Sequence, residues 1–195
     1  RYPFVRMITH NKPHGIGSSY WEGVNEACGE MVTWTSGDGE LDIFEILQYL
    51  PLMNSVDIVV PFIYNDRKRR SWERLMISKI FRWIVNISFG LSLTHTNGCV
   101  IYRKSILKEI TLKSRGFFFQ TELLSKCLKK GYLYAEVPIA NRLRIGGKSK
   151  SLTLKSLINV MYDYTYNMFN FYLFNRGIGG ITPDSKTALR WQSLR

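Results

Sequence analysis

GFFFQTELLSKCLKKGYLYAEVPIANRLRIGGKSK, residues 116–150, reads as a helix, a strand and a cationic loop in succession. Leu123, Leu124, Cys127 and Leu128 recur at helical spacing, so Phe119 to Lys130 is expected to form a helix with that stripe inward. Tyr132 to Val137 has the make-up of a short strand, closed by Pro138. Beyond it, Arg142, Arg144, Lys148 and Lys150 surround Gly146 and Gly147. Glycine lets backbone N–H groups approach an anion closely, while arginine supplies bidentate donors and lysine a point charge. Two readings stay open for this loop, a solvated basic turn and a phosphate-holding loop.

The same alternation continues upstream. Met31 to Thr35 reads as a buried strand that breaks at Ser36-Gly37-Asp38-Gly39-Glu40, ahead of an amphipathic helix carrying Ile43, Ile46, Leu47 and Leu50. Asp38 and Glu40 therefore follow a strand's carboxyl end, where open α/β sheets bind ligands and a carboxylate can hold a divalent cation. Helix capping by Asp38, Glu40 and Asp42 is the alternative. Tyr20, Val24, Ala27 and Cys28 form another helical stripe, Val56 to Ile63 reads as a buried strand, and Leu75 to Ile87 as a long helix after a basic loop. Asn97-Gly98 is a turn, and Cys99 to Tyr102 a further short strand. Strands and helices in alternation make an α/β fold with a mostly parallel sheet flanked by helices.

Residues 1–150 are expected to form one domain. Residues 151–175 change character: Leu157, Ile158, Val160, Met161, Tyr162, Tyr164, Tyr166, Met168, Phe169, Phe171, Tyr172 and Phe174 are interrupted by Asn159, Asp163, Asn167 and Asn170. That is too polar for a spanning helix, which needs about 20 mostly apolar residues. An aromatic amphipathic helix in a membrane interface and a terminal helix packed on the core are both compatible with it. Residues 176–195 have the composition of a flexible tail.

The chain has 195 residues, 45% of them hydrophobic, enough for a proper core. Its net charge of +12 is unevenly spread. Residues 1–63 hold three Lys/Arg against eight Asp/Glu, residues 64–82 seven against two, and residues 103–155 thirteen against three. An acidic part suits a cation with a diphosphate, and a basic part suits a phosphate at an anionic membrane surface. Nucleic-acid binding would also be basic, but no zinc-finger, RRM or helix-turn-helix signature is present. Cys28, Cys99 and Cys127 are widely spaced, with no C-x-x-C and no His at ligand spacing; they read as buried thiols in a reducing compartment.

Read in order, these segments resemble the polyprenol-phosphate glycosyltransferases, the dolichol-phosphate mannose synthase-like branch of the family-2 GT-A enzymes. His14-Gly15-Ile16-Gly17, Gly23, Ala27 and Gly29-Glu30 are similar to that family's Gly-rich helix entry and A-x-G-E ending. Ser36 to Glu40 lies where it has D-x-D-x-Q, and Arg74 to Ser78 where it has R-x-x-x-S. Gly98 to Arg103 resembles its G-F-R-x-Y-R segment. Phe119-Gln120, Glu122, Gly131-Tyr132, Glu136 to Pro138 and Arg144 to Lys150 resemble its closing series.

The resemblance implies an inverting, metal-dependent transfer of a sugar from a nucleotide-sugar donor to a polyprenyl phosphate at the cytoplasmic face of a membrane. It implies Mg²⁺ or Mn²⁺ at Asp38 and Glu40, and donor binding by Gly37, Asp38, Glu40 and Gln120. The acceptor phosphate falls to Arg67, Arg74, Ser78, Arg144, Ser149 and Lys150, and catalytic roles to Asp38 and Glu122; His14 is expected to be a loop residue. Three departures stand out. Ser36 replaces the motif's first carboxylate, and Cys99-Val100 replaces F-R. Arg1 to Ile8 resembles the family's third strand, so its first strand and acidic turn have no counterpart in these residues. A catalytically inactive GT-A-like docking domain is therefore the alternative reading, ahead of a nucleic-acid binder. Oligomerisation through the aromatic helix is also open.

Overall fold

The structure, a computed structural model, describes residues 3–35, 37, 39, 41–65, 72–140, 142, 154–173 and 180–195. In chain order the elements are α1 (Ile16–Glu26), β1 (Met31–Val32), α2 (Ile43–Leu47), β2 (Ile58–Ile63), α3 (Trp72–Phe89), β3 (Ile101–Arg103), α4 (Lys104–Leu107), α5 (Phe119–Lys129), β4 (Tyr134–Ile139), α6 (Leu154–Leu173) and α7 (Lys186–Ser193). The sheet order is β1-β3-β2-β4. β3 is antiparallel to both β1 and β2, whereas β2 and β4 are parallel. Thus β1, β2 and β4 point one way and β3 alone is reversed. The sheet is mostly of one sense, as expected, with the short reversed β3 inserted between β1 and β2.

β2, Ile-Val-Val-Pro-Phe-Ile, is an apolar run because it is an inner strand covered on both faces. Pro61 is tolerated within it. Pairing with β3 covers only Ile58 and Val59, so the missing Pro61 N–H lies beyond that ladder. Alternation along the strands makes two cores. Val32, Ile58, Val60 and Tyr102 face Val24 of α1 and Leu123, Leu124 and Cys127 of α5. Val59, Ile101, Val137 and Ile139 face Ile46 of α2 and Met53. A third cluster joins Val85 and Phe89 of α3 to Phe118 and to Tyr164, Met168 and Phe171 of α6.

The expected helices and strands are present, with three local corrections. The helix drawn through Leu50 stops at Leu47, and the chain tightens into a 3₁₀ turn over Leu50–Asn54 with Pro51 in its opening position. The opening segment, likened to a strand, contains no strand over residues 3–15. Pro3 and Pro13 remove ladder donors, and Arg6 is drawn to the end of α1, donating to Glu26 O at 2.5 Å. Residues 180–195, placed in a flexible tail, contain α7, with Ser185 as its N-cap, accepting from Ala188 N at 3.0 Å. Ser185 and Thr187 are fully buried. Cys99 and Cys127 are buried thiols as expected, but Cys28 is exposed. Burial pushes the Cys127 thiol up to about 12, with Lys130 and Lys126 opposing the shift and Asp57 adding to it.

Candidate functional site

Because β1, β2 and β4 share a direction, their carboxyl ends lie along one edge of the sheet, and the reversed β3 starts there. Residues 33–40, 64–71 and 140–153 all follow those ends in sequence. Contacts tie the described parts of this edge together. Trp34 Nε1 donates to Gly98 O at 2.9 Å and Thr33 Oγ1 to Cys99 O at 3.2 Å, joining the exit of β1 to the entry of β3. Asp42 caps α2, accepting from Phe44 N at 3.1 Å, and also pairs with Arg142. Glu45 accepts from Ala140 N at 2.7 Å. The start of α2 therefore grips the exit of β4, and Asp42 is the residue of the acidic run that does the capping.

Asp38, Glu40, Arg67, Arg144, Ser149 and Lys150 lie outside the described residues. Gly37, immediately before Asp38, is exposed with open space around its Cα. Carboxylate oxygens at Asp38 and Glu40 are the hard donors that Mg²⁺ and Mn²⁺ take, so the donor set fits such a cation. Gln120 is largely buried at the start of α5 and makes no hydrogen bond among the described residues. It lines a small cleft with Tyr20, Trp34, Gly98, Tyr102 and Phe119. Trp34 and Phe119 meet edge to face at 6.0 Å between ring centroids, and Tyr20 lies 5.0 Å from Phe119. The Tyr20 hydroxyl is sealed from solvent without a hydrogen-bond partner among the described residues. Burial raises its pKa far above the ordinary tyrosine value, so it stays a neutral donor. Tyr20 and Trp34 were not legible as site residues, since each also fits a core pattern. Their one signal was an aromatic at the end of a strand and another on the first turns of a Gly-rich helix.

Glu122 is a correction to the expected catalytic set. Its side chain is fully buried. Its oxygens accept from Lys113 N at 2.9 Å and Ser114 N at 2.7 Å, and Lys126 pairs with it at 2.5 Å one turn along α5. Two of these bonds hold the backbone of residues 113 and 114 and the third holds Lys126, so the enclosed carboxylate serves the fold. The 113–116 segment is a hub. Gly17 N donates to Arg115 O at 2.8 Å, and Ser114 Oγ accepts from Asn167 of α6 at 3.3 Å. The glycines of the 14–17 motif are required here by close approach. A Cβ on Gly17 would lie 2.4 Å from Ser114 O, and Gly15, at φ 104°, would bring one to 2.3 Å from Arg115 O.

The other residues of the expected acceptor group are on α3. Arg74 falls within its first turns, and Ser78 is exposed one turn on. α3 is fixed to the 93–98 loop by Arg82, donating to Thr94 O at 2.6 Å, and by Asn86, donating to Leu93 O at 2.9 Å. Glu136 of β4 holds the same loop, accepting from Thr94 N at 2.7 Å. α3 follows β2 and α6 follows β4, and the two pack on each other, with Ser88 Oγ and Tyr164 Oη 2.6 Å apart. Both expose apolar side chains away from that contact: Ile80, Trp83 and Ile87 on α3, Met161, Tyr162 and Phe169 on α6. No helix among the described residues is long and apolar enough to cross a membrane.

No family model matches the chain. Among solved structures it is similar to glucosyl-3-phosphoglycerate synthase from Mycobacterium tuberculosis. With that protein's complex with Mg²⁺ and UDP, the identity is 14% over 80% of this chain and 55% of that one, at a TM-score of 0.57. With its complex with Mn²⁺, UDP-glucose and phosphoglyceric acid, the identity is 15% over 82% and 55%, at 0.57. A third structure of the synthase gives 15% over 85% and 58%, at 0.56. The chain thus spans little more than half the length of these structures. The mixed sheet flanked by helices is the α/β fold of the GT-A glycosyltransferases.

Proposed function

We propose that this chain is the greater part of a glycosyltransferase domain that moves a sugar from a nucleotide-sugar donor to a polyprenyl phosphate at a membrane surface. The observation that carries it is the single sheet edge. There, an acidic segment after β1 and two basic segments, after β2 and β4, follow strands of one sense. The synthase of similar fold binds UDP-glucose with Mn²⁺. It also binds phosphoglyceric acid, a small phosphorylated acid, so a phosphate is common to that molecule and to the acceptor proposed here.

In this reading an ionised phosphate oxygen attacks the anomeric carbon from the face opposite the leaving group. A new C–O bond forms as the bond to the nucleoside diphosphate breaks, with the electron pair leaving on the diphosphate, and the configuration inverts. The acceptor is already an anion near neutral pH, so no strong base is needed and the protein's task is positioning and charge stabilisation. A Mg²⁺ or Mn²⁺ held by Asp38 and Glu40 would neutralise the charge developing on the diphosphate. Gln120, at the start of α5 beside Trp34 and Gly98, would hydrogen-bond the donor. Arg67, Arg74, Ser78, Arg144, Ser149 and Lys150 would hold the acceptor phosphate. The exposed aromatic and aliphatic faces of α3 and α6, beside these basic segments, suit an anionic lipid surface.

A docking domain without catalysis is the second reading, favoured by Ser36 in place of a carboxylate and by the structural use of Glu122. Calorimetry with UDP- and GDP-sugars in Mn²⁺ separates the two. Binding abolished by Asp38→Ala supports the transferase, and absence of any binding, in this chain and in one extended at its N-terminus, overturns it. Transfer to polyprenyl phosphate in vesicles, compared with soluble phosphorylated acids, then decides the acceptor.

A further inference from the structure

The segment before α1 brings two histidines against one glutamate. His10 Nε2 lies 2.7 Å from Glu22 Oε2, and His14 Nε2 lies 3.3 Å from Glu22 Oε1. The imidazoles meet edge to face at 4.0 Å between centroids, and the three donor atoms fall within 4.8 Å of one another. His14 Nε2 is sealed from solvent and has no hydrogen-bond partner of acceptable geometry, although it faces the carboxylate. A ring nitrogen close to a carboxylate oxygen without a hydrogen bond between them leaves both atoms available to a common cation. His10 and His14 stand at H-x-x-x-H spacing, which the sequence reading passed over, and Glu22 joins them only in the fold, from the second turn of α1.

We propose that His10, His14 and Glu22 form a transition-metal site of the Zn²⁺ class, separate from the carboxylates expected to hold Mg²⁺ or Mn²⁺. Two imidazoles and one carboxylate select Zn²⁺ or Co²⁺ over the hard cations and leave a fourth position for water. Tetrahedral bonds of about 2.0–2.1 Å put ligand atoms about 3.4 Å apart, within a side-chain rotation of the spacing seen here. On binding, the ion displaces the proton between His10 Nε2 and Glu22, which passes to Nδ1 of a neutral imidazole or to solvent from an imidazolium. The consequence is mechanical. Residues 3–15 carry no regular structure, and besides this cluster they meet α1 through Arg6, so the ion would pin them to the helix whose glycines pack on the Ser114–Arg115 hub.

Titration of the metal-free chain with Co²⁺, read by visible d–d absorption, tests this directly. The expected result is a saturable tetrahedral spectrum at one equivalent, bleached by Zn²⁺ but not by excess Mg²⁺, with a melting temperature raised by Zn²⁺. The spectrum persists in Asp38→Ala and is lost in the double variant His10→Asn, His14→Asn. A spectrum unchanged in the double variant overturns the proposal. So does the absence of a tetrahedral spectrum from the unaltered chain, a result that does not depend on any variant folding.

Discussion

Asp57 at the entry of β2 and Thr187 at the start of α7, 130 residues apart, are joined by a 2.6 Å hydrogen bond from the threonine hydroxyl to Oδ2, and neither side chain is exposed. The same carboxylate accepts from Thr187 N at 2.9 Å, Lys186 N at 2.7 Å and Arg103 Nε at 3.2 Å. A buried charge so fully hydrogen-bonded is stable where it stands but costly to orphan. Asp57→Asn keeps the shape and removes the charge. It is expected to cost about 2–4 kcal/mol and to free α7, which hydrogen exchange would register as lost protection over residues 186–193. Protection equal to that of the unaltered chain would remove the latch.

Gly17 and Gly23 lie on the same helix in opposite surroundings, and alanine at each should move stability in opposite directions. At Gly17 the new Cβ would meet Ser114 O at 2.4 Å and Phe119 Cβ at 2.8 Å. Neither neighbour can swing away, so Gly17→Ala is expected to cost about 1–3 kcal/mol. At Gly23 nothing lies within 4 Å, and the better helix propensity of alanine should add up to about 1 kcal/mol. Urea midpoints of the two variants check the pair. A neutral Gly17→Ala would show that the hub yields.

These two glycines also mark what the sequence could and could not disclose. Long, strongly periodic elements such as α3, α5 and α6 were legible because one apolar stripe fixes both helix and buried face. The reversal of β3 was not, since three residues carry no directional signal and antiparallel pairing depends on partners far away in sequence. α7 was missed for a related reason. It is short and mostly polar, and it is held by Asp57, whose role becomes visible only when residues 130 positions apart are brought together. At the site, the acidic and basic segments were legible from charge, but Glu122 was misassigned because a carboxylate opening a helix looks the same whether it faces a substrate or a neighbouring loop. Tyr20 and Trp34 were hidden within core patterns.

Asp163, half-buried on α6, has a carboxyl raised above the usual range chiefly by burial, with the Glu122 charge adding to the shift and a hydrogen bond to Ser114 opposing it. A raised carboxyl means that the folded protein holds this proton more tightly than the unfolded chain does. Stability from this group is therefore present at low pH and lost as pH rises through its folded-state pKa. Asp163→Asn, neutral at all pH, should melt higher than the unaltered chain at neutral pH. The advantage should shrink as the pH is lowered and Asp163 takes up its proton. Thermal melts across that range decide it, and an advantage independent of pH would assign the effect to packing instead.

Glu122 gives the sharpest separation between a structural and a catalytic carboxylate. Replacing it by glutamine leaves one oxygen for two backbone donors at 2.9 and 2.7 Å and turns an NH₂ group toward one of them. Lys126, only 13% exposed, loses its counter-charge at the same time. The expected cost is about 2–4 kcal/mol, a fall of roughly 5–15 °C in melting temperature for a chain of this size. The 113–116 hub should loosen toward both α1 and α6, since Gly17 and Asn167 bond to it. Donor affinity of the folded fraction at low temperature should stay within a few-fold of the unaltered chain, whereas Asp38→Ala should abolish it with little change in melting. A melting temperature unaffected by Glu122→Gln together with lost turnover would return Glu122 to the reacting centre, and would require a substrate to reach a carboxylate that the fold now encloses.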